Sequence, residues 1–156
     1  MCNAKDSKSL FAHALDTFKA FSNLTVENSG FNQDEFPVSV WQILRHIISW
    51  QAFQLGQLQG IASAKPFKEE ATWCEERCPP SDAILQAAVR EFEEQLGYFQ
   101  NYINQTDSTG EGRISKQRII QDVALHLSFH LGEVVLIRRL KGSYPLPHQM
   151  KEFLQA

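Results

Sequence analysis

The sequence predicts an all-α protein, a four-helix bundle carried by a single domain over residues 1–156. Three observations predict it. Apolar residues recur at spacings of three and four through long segments. Glycine and proline punctuate the ends of those segments, and no run reads as a strand.

The first helix is expected from about Ser9 to Leu24, with Leu10, Ala14, Thr17, Phe21 and Leu24 on one stripe. The polar stretch "ENSGFNQDEFP" then breaks the pattern through Gly30 and Pro37. Ser39 is placed to cap a second helix, "VWQILRHIISWQAFQLGQLQG", which should end at Gly60. A long irregular connection follows, with Pro66, Pro79 and Pro80. A connection of that length in a small domain is usually functional or packs as a lid.

Ser81 or Asp82 opens the third helix, in which Leu85, Val89, Phe92, Leu96, Phe99 and Ile103 form the seam of a bundle helix. The loop "QTDSTGEGR" is polar and glycine-bearing, and is expected at the surface and mobile. The fourth helix should run from about Ser115 to Lys141, where Gly142 ends it in a left-handed conformation and Pro145 forbids resumption. The crossover between the second and third helices makes the whole a bundle with one long connection.

A length of 156 residues is enough to bury a real core, and 43% apolar with 21% charged residues places the chain among globular proteins. A net charge of −3, with basic residues scattered, argues against nucleic acid as a partner. No apolar run approaches the roughly 20 residues that a membrane span requires, and the first residues lack the apolar core of a signal peptide. Cys2, Cys74 and Cys78 make an odd number, ill suited to a disulfide framework. The expectation is a cytoplasmic protein with neither a membrane nor a nucleic-acid partner.

Two histidines interrupt this bland pattern. On the fourth helix the inward stripe is Val123, Leu127, His130, Val134 and Ile137, with His126 at its edge. Four residues apart, His126 and His130 lie one above the other and can reach one metal ion. His46 repeats the oddity on the second helix, beside Ile43, Ile47 and Trp50. Packed imidazoles bonded to backbone or water would give the same pattern. Three of them on two helices, however, leave several ring nitrogens to satisfy, at about 1–3 kcal/mol for each that fails. A shared divalent cation meets that demand at once.

The segments "VWQILRHIISWQ", "CPPSDAILQAAVREFEEQL" and "HLSFHLGEVVLIRRLKGSYP" together resemble the DinB-like family of bacterial four-helix bundles, over roughly Phe36 to Pro145. The resemblance implies an up-down-down-up bundle with a divalent site made by His46, His126 and His130. It also implies putting a low-molecular-weight thiol such as bacillithiol or mycothiol among the cofactors, since some relatives are thiol-dependent S-transferases or isomerases. The family often has glutamine where this chain has Glu133, so a carboxylate there could add charge or act as a catalytic base.

Three histidines leave coordination positions open, the arrangement of a catalytic site. The metal itself, whether zinc, nickel, copper or iron, is not specified by imidazole ligands. The reading is a metal-dependent thiol S-transferase or hydrolase acting on a small molecule, with Glu133 as its candidate catalytic residue. The rival is a non-enzymatic, stress-related dimeric bundle whose histidines hold a structural or vestigial metal. Other residues carry weaker expectations. Asp122, four before His126, could orient that imidazole. Arg138 and Arg139 favour the negative end of the helix dipole, or hold an anionic thiol. Cys74 and Cys78 read as incidental thiols, His13 and His148 as surface residues, and Trp41 and Trp50 as core or pocket wall.

Overall fold

A computed structural model describes residues 10–31, 34–105 and 113–156. The fold is all-α, and no strand occurs among the described residues. Its helices are α1 (Val26–Ser29), α2 (Val40–Leu58), α3 (Asp82–Gln105), α4 (Arg113–Leu140) and α5 (Met150–Gln155). The expected helix start at Ser9, Cys2 and most of the 105–113 loop lie outside the described residues.

The capping signals act as the sequence suggests. The Ser39 hydroxyl accepts from the Gln42 amide at 3.1 Å, and the Gln42 side chain accepts from the Ser39 amide at 3.1 Å, closing a capping box. At α3 it is Ser81 that caps, its hydroxyl accepting from the Ile84 amide at 3.3 Å. Gly60 and Gly142 follow α2 and α4 with φ of +71° and +70°, a region that costs a residue with Cβ.

The seam residues of α3 face inward as read. Leu85, Val89, Phe92, Phe99 and Ile103 are buried, with Leu96 partly so. Two clusters fix the topology. In one, Val40–Ile48 of α2 meets Leu85–Phe92 of α3 and Leu127–Ile137 of α4. In the other, Leu55 and Leu58 meet Phe99 and Ile103, together with Ile120 and Val123. Starts pair with starts along α2 and α3, whereas α4 runs the other way. These three helices are therefore down, down and up, as the long crossover requires.

The first segment packs where the first bundle helix was expected, but not as one helix. Phe11, Ala20, Phe21 and Leu24 are buried, while Leu10 is 75% exposed and off the stripe. Residues 11–23 form successive turns, with Phe18, Lys19 and Asn23 at φ of 51°, 55° and 56°. Tertiary partners take over the carbonyls that a helix would use. Tyr144 donates to the Phe18 carbonyl at 2.5 Å, and Arg138 donates to those of Ala20 at 2.7 Å and Ser22 at 3.0 Å. The Asp16 carboxylate accepts from the Phe18 amide at 2.8 Å, a local turn that competes with helix.

These contacts also correct the reading of the arginines. Arg138 is 2% exposed, and it also donates to the Ser143 carbonyl at 2.6 Å. Arg139 donates to the Pro145 carbonyl at 2.9 Å. The buried Arg138 guanidinium ties chain segments together and is not free to hold an anionic thiol, whereas Arg139 is half-buried and commits its Nε to that one carbonyl.

Phe92, 1% exposed, meets the Phe21 ring edge-to-face at 4.9 Å and joins the first segment to the core. Phe92→Ala is expected to destabilise by about 3–5 kcal/mol, because a cavity replaces the ring. Thermal or urea unfolding measures it; an unchanged midpoint would show that the ring is not a core element.

Candidate metal centre

Two bundle helices and the crossover build the site. The inward face of α2 carries His46, fully buried, and α4 carries His126, half-buried, and His130, buried. One ring nitrogen from each lies within 4.8 Å of the others. Spacing along α4 and the packing of α2 against it thus bring together the three residues read from the sequence.

Hydrogen bonds assign two of the three tautomers. The Thr72 hydroxyl donates to the Glu69 carbonyl at 2.5 Å, so its oxygen accepts from His46 Nδ1 at 2.5 Å. His46 Nε2 is left with its lone pair turned into the cluster. At His130, Nδ1 donates to Glu133 Oε2 at 2.6 Å, and Nε2 is again the free ligand.

His126 is the incomplete member. Its Nδ1 is buried without a partner, and its Nε2 stands 3.0 Å from His46 Nε2. Because His46 presents a lone pair there, that contact needs a proton from His126 or a cation between the two nitrogens. The donor set fits a divalent ion of imidazole preference. Ligands at about 2.1 Å from one ion can stand at most about 4.2 Å apart, so a small ring rotation closes any wider pair.

Tryptophans fix the ring planes. Trp73 stacks on His46 with centroids 3.9 Å apart and planes 7° from parallel, and Trp50 stacks on His126 at 3.9 Å and 13°. Phe129 meets His130 edge-on at 5.0 Å but is 67% exposed, so it is no wall around the site. Thr72 escaped the sequence reading altogether. It lies on a 3-10 turn, Glu69–Thr72, within the irregular crossover, and no periodicity announces it.

Asp122 does not orient His126, whose Nδ1 has no partner; it lines a surface cavity of about 720 Å³ with Leu10, Phe11 and Leu125. None of the three histidines lines that cavity. Cys74 and Cys78 are free thiols outside the cluster, and Cys78 packs over Gly30, where a Cβ would come within 2.7 Å of its Sγ. His13 and His148 are exposed, as expected.

Residues 12–134 match the family model described as the DinB superfamily. The chain belongs to the DinB superfamily. The match takes in the first segment, the crossover and all three histidines. No curated protein and no solved structure matches the chain. Membership of the DinB superfamily and the histidine cluster thus stand together on one chain.

Burial, with the neighbouring His130 adding to it, pushes the His46 pKa down to about 4. The same burial, with His130 and His46 adding to it, pushes His126 down to about 3. An unfolded histidine takes up its proton near ~6.5, so between that pH and about 4 the unfolded chain binds more protons. Stability from these groups is therefore complete above about pH 6.5 and is lost as pH falls. Metal bound to the same lone pairs adds a loss in the same direction. A melting series from pH 7.5 to 5 should fall with acid in chelator and more steeply with added divalent metal. Coincident curves would remove the metal reading.

Thr72→Val deletes the acceptor of His46 Nδ1 while keeping the shape of the side chain. It is expected to weaken divalent-metal affinity by about 10–100-fold with helical content retained, read by competition against a chromophoric chelator. Wild-type affinity in this variant would show that Thr72 does not orient the ligand.

Proposed function

We propose that the protein is a metal-dependent enzyme acting on a small molecule, a thiol S-transferase or a hydrolase, with its divalent ion held by His46, His126 and His130. The observation that carries this reading is the 3.0 Å approach of His126 Nε2 to an oriented lone pair on His46. Two imidazoles are arranged by their own partners to present lone pairs to one point, a costly arrangement for mere packing. Membership of the superfamily, whose resemblance brings in thiol-dependent S-transferases and isomerases as relatives, supplies the context.

When bound, a divalent ion with open positions acts as a Lewis acid and makes a nucleophile of water or a thiol near neutral pH. The protein's own residues set the conditions for that chemistry. Thr72 and Glu133 hold the Nδ1 protons of His46 and His130, keeping both Nε2 atoms as acceptors. Trp73 and Trp50 hold the ring planes and limit water at the faces of His46 and His126. Glu133 lies 2.6 Å from Nδ1, the ring nitrogen opposite the ligand atom, with its side chain 38% exposed. This supports a positioning role for it, with base catalysis by Glu133 the less direct assignment.

The alternative is a non-enzymatic bundle holding a structural metal. The two readings share the metal and differ in turnover. We place the protein in the cytoplasm, with a low-molecular-weight thiol as co-substrate in the transferase reading.

Purified protein should carry or take up about one divalent ion per chain. His130→Ala should lose most of that ion by elemental analysis with its circular dichroism spectrum retained. A screen of the loaded protein with several low-molecular-weight thiols and electrophiles should give turnover that chelation abolishes. Full metal occupancy in His130→Ala would overturn the ligand assignment, and occupancy without turnover would favour the structural alternative.

A further inference from the structure

A second surface cavity, of about 540 Å³, lies between the last turns of α2 and the middle of α3. None of the three histidines lines it. Its apolar lining includes buried Leu55, together with Ile61 and Tyr98, which are 60% and 55% exposed. The end of α2 explains why Ile61 stands there. Gly60, at φ of +71°, turns the chain so that the Ile61 amide donates back to the Gly56 carbonyl at 2.9 Å. A volume of this size and an apolar wall are what a small-molecule site offers.

The charged lining is all negative. Glu91 and Glu94 contribute carboxylates from α3, and among the described residues no Lys, Arg or His lines the cavity. Beside them Gln95 is 7% exposed and gives its Nε2 to the Ile48 carbonyl at 3.1 Å. Its amide oxygen is left buried without a partner, a cost that a donor from a ligand would remove. Glu94 makes no ion pair among the described residues. Arg45 stands 3.8 Å from Glu91 at the surface, too far for a hydrogen bond, so both carboxylates keep their acceptor positions. The last turn of α2 carries no basic residue, so the negative end of its dipole adds to the same field.

From this combination we propose that the cavity binds a small organic cation, a primary ammonium group on an apolar body. Such a group has three donors and no acceptor. Glu91, Glu94 and the Gln95 amide oxygen are acceptors for it, and the Tyr98 ring and the aliphatic lining take the body. An anion would meet two carboxylates. A divalent metal ion is the poorer fit: it prefers a full shell of oxygen ligands and has no use for an apolar wall. Among the described residues, moreover, only the histidines form a group of three or more close metal-ligating side chains. The site stands apart from the histidine cluster and does not depend on the metal reading.

The test is a heteronuclear NMR titration of the full chain, first stripped of metal with chelator, using 2-phenylethylamine as the probe. The amides of Leu55, Ile61 and Tyr98 should shift saturably, and those of His126 and His130 should stay in place. 2-Phenylethanol, the same body without the charge, should bind about tenfold more weakly or less. Glu91→Gln/Glu94→Gln should weaken the amine by about tenfold or more with the circular dichroism spectrum unchanged. Gly56→Leu should abolish binding with helical content kept: a Cβ at Gly56 meets nothing within 4 Å, so the larger side chain enters the cavity and not the core. Four results would overturn the site: no saturable shift with either 2-phenylethylamine or hexylamine, equal binding of the alcohol, full affinity in Glu91→Gln/Glu94→Gln, or displacement of the amine by an equivalent of magnesium.

Discussion

The constraint on which the rest of the structure depends is the burial of imidazole nitrogens at one end of the bundle. His46 is fully buried and His130 nearly so, and each ring nitrogen in that setting needs a partner. The protein provides two, Thr72 for His46 and Glu133 for His130, and leaves the remaining lone pairs converging. Burial also keeps His46 and His126 neutral well into acid, which is the protonation state that a metal requires. Fold stability and site chemistry are thereby coupled through the same atoms.

The crossover between α2 and α3 exists in its irregular form because it serves that end of the bundle. Its 3-10 turn places Thr72 under His46, and the next residue lays the Trp73 indole across the same ring. Gln42, one turn before His46, donates to the Cys74 carbonyl at 3.0 Å and pins the segment to α2. Arg77 anchors its far side by donating to the carbonyls of Phe31, Pro37 and Phe36 at 3.3, 3.1 and 2.6 Å. A stretch with little periodicity of its own is thus held by side chains reaching from regular elements.

Arg138 plays the corresponding part near the C-terminal end of α4. Its buried guanidinium donates to carbonyls on both the first segment and the turn after α4. With Tyr144 on the Phe18 carbonyl, it holds residues 18–22 in a path that no helix follows. Those carbonyls would otherwise need helical partners or water. Here the C-terminal part of the chain meets the need, and the first segment enters the core as turns.

The sequence by itself determined what periodicity and capping can carry. The inward faces of α3 and α4, the Ser39 cap, the glycine stops at Gly60 and Gly142, and the three histidines are all local signals, because each depends on spacing along one helix. Tertiary structure decided what depends on partners far away in the chain. Apolar spacing predicts a helix from about Ser9 to Leu24, yet Arg138 and Tyr144, more than a hundred residues later, set the path of its described part as turns. Asp122 sits at the right spacing for His126, but its helix face turns it to a surface cavity, whereas Thr72, with no such spacing, reaches His46 through a fold in the crossover. Spacing along a helix tells which residues share a face. It cannot tell which distant donor or acceptor that face will meet, because that is set only when the elements pack.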